Sequence, residues 1–321
     1  MARTARVRAF AKLNLGLRIL YRRPDNYHEL RTVFQTISLA DSLNISFDPA
    51  RSLSIAMEGT PDIPDNLAER AARLVMEAAG KTGAVRLQLR KRIPSGAGLG
   101  GGSSDAAAVL LALPVLAGFT LPLDRLLALA AQLGSDVPFF LYGGAALGLG
   151  RGEELYPIPD SSARQALLVT SDVHSSTADA YRDLSATLGG NSLTNVALQN
   201  KLGSFQRGVW GDVSGYGKSS IINDFEDVVL ARYPVLREVR ERLIRAGAAC
   251  VAMTGSGSAI FGIFDNPGKL ERALLAWKRP GEQAFPVSFV SRARYRAAWR
   301  RALDQDRKGN DLWPPQSRHA R

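Results

Sequence analysis

Pro94-Ser95-Gly96-Ala97-Gly98-Leu99-Gly100-Gly101-Gly102-Ser103-Ser104-Asp105 is the stretch on which the reading of this chain turns. Glycine fills five of the seven positions from 96 to 102, two hydroxyls follow, and an alanine-rich run, Ala106–Leu113, comes next. Glycine has no Cβ, so its backbone takes φ > 0 and comes close to a ligand. Successive N–H groups in such a loop make a concave anion site. The helix predicted after it adds its positive end to the same place. A loop of this kind suits a polyphosphate, so Pro94 to Ser104 are expected to bind a nucleotide.

Two other phosphate loops fit poorly. A Walker A loop closes on Gly-Lys-Ser/Thr, whereas Gly102 runs straight into Ser103. Gly96, Gly98 and Gly101 satisfy the Rossmann spacing, but that loop follows a buried parallel strand with a continuous apolar run. Here Val85–Lys91 alternates apolar with polar and reads as a half-exposed antiparallel strand, and Pro94 separates it from the loop. A flexible linker is out of place between a strand and a strong helix.

The chain has 321 residues, room for about two domains of roughly 150 each. Its composition, 45% hydrophobic and 22% charged, is that of an ordinary globular protein. Apolar runs are too short for a membrane span of about 20 residues, and no apolar signal core follows the basic N-terminus. The single cysteine, Cys250, excludes an internal disulfide framework and fits a reducing, cytoplasmic setting; its apolar neighbours mark it as a buried structural thiol. The three histidines form no cluster, so no metal-ligating residues are assigned.

Net charge is +11. From Arg292 to Arg321 there are nine Lys/Arg against three Asp/Glu, leaving +6. Such a tail invites a nucleic-acid reading. Its basic residues are spread out and acids are interspersed, so a solvated terminal helix and frayed tail are expected, with no nucleic-acid or membrane partner.

Periodicity divides the chain into residues 1–160, 161–290 and a basic tail, 291–321. Strands are expected at Val7–Ile19, Val33–Leu43, Leu53–Met57 and Val85–Arg90, and helices at Leu67–Ala79, Asp105–Leu116 and Leu123–Leu133. Strands Ala166–Thr170, Cys250–Met253, Ala259–Ile263 and Phe285–Val290 follow, with helices at Val228–Ala246, broken by Pro234, and Gly268–Lys278. Gly189–Ser220 is polar and glycine-rich and reads as a loop. Mixed antiparallel strands and helices give an α+β fold in two lobes, with the ligand cleft between them.

Several segments together carry a resemblance: Ala11-Lys12-Leu13-Asn14-Leu15; Asn26-Tyr27-His28-Glu29-Leu30 with Thr32-Val33-Phe34-Gln35; the glycine loop; Leu133-Gly134-Ser135-Asp136-Val137-Pro138-Phe139-Phe140; Asn223-Asp224-Phe225-Glu226; and Met253-Thr254-Gly255-Ser256-Gly257-Ser258. In this order and spacing, from Val7 to Val290, the chain resembles the galactokinase–homoserine kinase–mevalonate kinase–phosphomevalonate kinase superfamily. The Tyr-His segment and the Phe-Gln after it resemble the branch whose acceptor is a cytidine diphosphate-linked methylerythritol. The resemblance implies a ribosomal-protein-S5-domain-2-like N-terminal domain, a ferredoxin-like C-terminal domain, and ATP with Mg²⁺ as cofactors. It implies transfer of the ATP γ-phosphoryl group to the 2-hydroxyl of 4-diphosphocytidyl-2-C-methyl-D-erythritol, by a monomer or homodimer.

It also implies roles. Asp136 is expected to act as catalytic base; the plain alternative is an N-cap for Val137–Leu141. Lys12 interrupts an apolar strand and is costly to bury unpaired, so it is expected to pair with Asp136; the alternative is an exposed strand face. Asn14, Tyr27 and His28 are expected in the acceptor site, with Tyr27 stacking on the base; the alternative puts Tyr27 and His28 on a surface loop. Ser103 and Ser104 cap the helix or touch phosphate and Mg²⁺, and Gly255 and Ser256 offer backbone N–H groups from the second lobe. One departure stands out: where some relatives carry an aromatic that closes the base sandwich, this chain has Ile221-Ile222, so either Tyr181 or Tyr216 substitutes or the base packs against aliphatic side chains. Two other functions remain open: a kinase for another small alcohol, and an ATP-binding sensor without catalysis.

Overall fold

The computed structural model describes residues 2–58, 63–160, 164–187, 195–210 and 221–320. The first half is built on two long strands, β1 (Arg3–Arg22) and β2 (His28–Asp48), paired antiparallel along their length. β3 (Leu53–Glu58) and helix α1 (Leu67–Ala78) lead to β4 (Gly83–Arg90), which pairs antiparallel with β2 and parallel with β3. The half-exposed strand expected ahead of the glycine loop is therefore present, alternating buried and open along β4. Asn66 caps α1 through a hydrogen bond from the Ala68 N–H at 2.9 Å.

Helix α2 (Gly101–Ala117) starts inside the glycine run rather than at Asp105. It is apolar on all sides because it is buried on all sides, lying between the sheet, α1, α3 (Leu123–Leu133) and α4 (Val137–Tyr142). β5 (Ala145–Leu149) and β6 (Glu154–Pro157) extend the sheet beyond β2, completing six strands among the described residues.

The second half contains β7 (Gln165–Ser171), α5 (Thr177–Thr187), α6 (Asn195–Trp210), α7 (Glu226–Arg232), α8 (Pro234–Arg245), β8 (Cys250–Met253), β9 (Ile260–Phe264), α9 (Pro267–Ala276) and β10 (Glu282–Ser288). Its four strands lie antiparallel in the order β10-β7-β9-β8, the ferredoxin-like arrangement. Side chains alternate with period two across this sheet. Ala166, Leu168, Ala252 and Phe261 pack on Ala11, Leu13, Val33 and Ile37 of the first lobe. Leu167, Val169, Val251 and Met253 face helices α7 to α9. The lobes thus share one apolar core, and β1 is buried on both faces from Ala9 to Leu17. Two helices escaped the sequence reading: α5, and α6 within the stretch read as a loop; the rest of that stretch lies outside the described residues.

The C-terminal segment corrects the expectation of a frayed tail. Helix α10 (Arg292–Ala302) buries Tyr295 and Trp299, and Leu303 follows them into the first-lobe core. The reason is spacing: these three residues recur every four positions and form one apolar face beneath the arginines. Among the described residues, no helix is long and apolar enough to cross a membrane. Cys250 is buried, and burial pushes its thiol up to about 11.

Candidate active site

Between the lobes lies a cleft of about 860 Å³ whose wall includes Lys12, Asn14, Tyr27, His28, Gly98, Asp136 and Gly255. A groove of about 370 Å³ runs along the glycine loop from Pro94 to Ser103, with Asn66 and Leu67 opposite. Ser103 borders both spaces. Segments far apart in sequence therefore meet here, and each is held in place by identifiable contacts.

The glycine loop is pressed against its neighbours. Gly96, Gly98 and Gly100 all have φ near +70°. A Cβ on Gly98 would run into the Thr254 carbonyl, and one on Gly100 would meet Phe140 at 2.8 Å. The Leu99 carbonyl accepts the Lys12 N–H at 3.0 Å. Gly100 precedes α2 without a side chain to cap it, so the first-turn N–H groups of that helix open toward the loop. Ser103 and Ser104 sit within the first turn rather than at the cap, which corrects the capping alternative; Ser104 is buried.

Under the loop is a charged cluster that sequence reading missed. Lys91 Nζ lies 2.5 Å from Asp41 Oδ2 and 2.8 Å from Asp105 Oδ2. Asp41 Oδ1 also accepts the Arg92 and Ile93 N–H groups, at 2.5 and 2.8 Å. The cluster ties the strand that enters the loop to the helix that leaves it. Burial pushes the Asp105 carboxyl up to about 7, against the pull of Lys91.

Lys12 and Asn14 lie where the β1–β2 register slips, between Phe10 and Lys12 and again between Asn14 and Leu17. Lys12 is 3% exposed. Its ammonium donates to Asn14 Oδ1 at 2.6 Å and lies 3.3 Å from Asp136 Oδ2. Asp136 precedes α4, yet its side chain caps nothing in that helix; it reaches into the cleft instead. Both plain alternatives, a capping aspartate and an exposed lysine, are thus not what the geometry displays.

Around the far end, the His28 ring stacks on Tyr181 at 4.6 Å and 19°, and its Nε2 is 3.2 Å from Ser185 Oγ. Burial, with help from Arg22, lowers the His28 pKa and favours the neutral ring. Phe225 meets Tyr181 edge-on at 4.8 Å. Tyr27 is 54% exposed, with the Arg151 guanidinium 4.7 Å from its ring centre. Glu29 holds this hairpin by pairing with Arg23 and Arg31. Ile222 does not take an aromatic's place; its carbonyl accepts the Leu17 N–H at 2.8 Å. Tyr216 lies outside the described residues, so Tyr181 is the aromatic of the two seen at the cleft.

From the second lobe, Asn223 Nδ2 donates to the Met253 and Gly255 carbonyls, both at 2.8 Å, and fixes the Gly255 turn. Ser256 Oγ is 2.8 Å from Thr177 Oγ1. Asp224 is held by Arg18 and Lys201 at 2.7 and 2.6 Å. Ser185 left no signal in the sequence, whereas Tyr181 is one of its two candidate aromatics and Phe225 lies in the Asn223-Asp224-Phe225-Glu226 segment.

Comparison with known proteins agrees with this arrangement. The chain matches the GHMP kinases N terminal domain over residues 66–144 and the GHMP kinases C terminal domain over residues 205–283. A 4-diphosphocytidyl-2-C-methyl-D-erythritol kinase of Solibacter usitatus is 54% identical over 318 residues, covering 99% of this chain and 98% of its own. One from Geobacter metallireducens is 40% identical over 260 residues, 80% of this chain and 88% of its own. A crystal structure of 4-(cytidine 5'-diphospho)-2C-methyl-D-erythritol kinase shares the fold with a TM-score of 0.72 at 39% identity, covering 90% of this chain and 99% of that one. By sequence and by fold, the chain belongs to the GHMP kinases and, within them, to the 4-diphosphocytidyl-2-C-methyl-D-erythritol kinase family.

Proposed function

We propose that the chain transfers the γ-phosphoryl group of ATP to the 2-hydroxyl of 4-diphosphocytidyl-2-C-methyl-D-erythritol, a step of the non-mevalonate isoprenoid route. The observation that carries this reading is the Lys12–Asp136 pair, 3.3 Å apart in a cleft shared with the glycine loop and the Tyr27–His28 hairpin. Phosphoryl transfer asks mainly for in-line positioning and charge neutralisation. The loop and the α2 N-terminus receive the phosphates. Asp136 takes the proton of the acceptor hydroxyl as its oxygen bonds to the γ-phosphorus and the bond to ADP breaks. Lys12, 3.3 Å away, orients the Asp136 carboxylate and offers its charge to the reacting oxygen.

The neutral His28 ring, its Nε2 engaged with Ser185 Oγ, keeps Nδ1 for the edge of the base. Arg151 covers one face of Tyr27, which leaves the other for stacking, and Tyr181 supplies the aromatic wall that Ile221-Ile222 lack. Where the cleft meets the glycine-loop groove, the Ser103 hydroxyl would help hold Mg²⁺, which would screen the charge of the phosphates. In this reading residues 1–160 carry the nucleotide and 161–290 supply the opposite wall.

The test is ATP- and Mg²⁺-dependent phosphorylation of this acceptor, with mevalonate and homoserine alongside. Turnover of the cytidylyl compound alone supports the reading. Turnover of mevalonate or homoserine instead discards the roles of Tyr27 and His28. ATP binding without turnover favours a sensor.

A further inference from the structure

Helix α4 is six residues long and begins immediately after Asp136. A helix this short has little internal support, and the carbonyls of its last turn lack partners within it. Three successive ones are satisfied from outside. The Phe139 carbonyl accepts the Gly143 N–H at 3.0 Å. The Phe140 carbonyl accepts the Tyr295 hydroxyl, and the Leu141 carbonyl accepts the Trp313 indole N–H at 2.8 Å. Both side-chain donors come from the C-terminal segment, which lies beyond the part of the chain that carried the resemblance.

The contact is close. A Cβ on Gly143 would run into the Tyr295 ring. Tyr295 and Trp313 also meet edge-on at 6.3 Å, and Ser317 Oγ donates to the Val115 carbonyl of α2 at 2.7 Å. Burial pushes the Tyr295 phenol pKa up, so it stays a donor. On its other side α4 touches the chemistry: Phe140 abuts Gly100 of the glycine loop.

We propose that the segment from Ser291 to Ala320 is a brace for the catalytic site, in which Tyr295 and Trp313 are positioning residues that cap α4 and so set the place of Asp136. The proposal rests on the assignment of Asp136 as base.

Tyr295→Phe and Trp313→Phe remove the two donors and keep aromatic bulk. The combined variant should lower kcat about 10- to 100-fold, leave the KM for ATP within about two-fold, and cause no further loss in an Asp136→Asn background. A kcat within two-fold of wild type overturns the brace. So does an equal loss in the Asp136→Asn background, because the effect would then bypass Asp136. Should Tyr295→Phe fail to unfold cooperatively, Trp313→Phe alone carries the same cycle, with a loss of about 3- to 10-fold. If the wild type phosphorylates no alcohol, the functional reading falls while the brace is still decided by hydrogen exchange. Amides 139–143 exchanging at least ten-fold faster in the variant support it, and unchanged exchange overturns it.

Discussion

The Thr32 hydroxyl fixes which way round the Asn14 amide sits. Thr32 Oγ1 donates its one proton to the Gly16 carbonyl at 2.8 Å, so toward Asn14 it can only accept. Asn14 therefore turns its Nδ2 group to Thr32, at 2.8 Å, and its Oδ1 to Lys12. The Gly16 carbonyl is available because the β1–β2 register slips between Asn14 and Leu17. Both side chains are buried, at 0% and 3% exposure.

Thr32→Val keeps the shape and deletes the acceptor, leaving a buried N–H unpaired at a cost of about 1–3 kcal/mol. We predict a kcat about ten-fold lower, with Thr32→Ser within about three-fold of wild type in steady-state kinetics. Equal losses in both variants would assign the effect to packing.

Tyr27 offers one ring face to the cleft. Stacking on an aromatic ring is worth about 1–3 kcal/mol per base, so Tyr27→Ala should raise the acceptor KM about ten-fold or more while kcat changes by less than about three-fold. Initial rates at saturating ATP check this. An unchanged acceptor KM removes the stacking role, whatever happens to kcat.

The Asp105 carboxyl titrates at about 7 against an ordinary value of 3.8. A carboxyl whose pKa is raised by folding adds stability while it is protonated; that contribution is full below about pH 4 and is lost as pH rises through about 7. Lys91, raised by its two carboxylate partners against the opposing effect of burial, stays charged throughout. Asp105→Asn removes this titration. Wild type should gain Tm relative to the variant on going from pH 8 to pH 5, read by thermal unfolding at fixed salt. A difference that stays constant across that range would contradict the shift.

How much of this was legible follows from what kind of signal each part leaves. The glycine loop and its half-exposed feeder strand leave local patterns, and Val85–Lys91 displayed its alternation openly, though not that the strand pairs parallel on one side and antiparallel on the other. The Lys12–Asp136 pair came from the resemblance, since nothing in spacing brings those positions together. α5 and α6 were missed because their apolar faces are narrow and their sequences polar. In the C-terminal segment the dispersed arginines masked the four-residue spacing of Tyr295, Trp299 and Leu303, a signal that was present and outweighed by charge. The polarity of Asn14 and the Asp41–Lys91–Asp105 cluster depend on which atoms meet across a bulge or beneath a loop, which no sequence pattern records.

The most direct test of the account is the turnover of Asp136→Asn with 4-diphosphocytidyl-2-C-methyl-D-erythritol, measured beside its affinity for a non-hydrolysable ATP analogue. A general base contributes roughly 10²- to 10⁴-fold. We predict a kcat lower by at least about 100-fold with analogue affinity within about two-fold of wild type. A variant that turns over within a few-fold of wild type would remove Asp136 as the base and contradict the account at its centre.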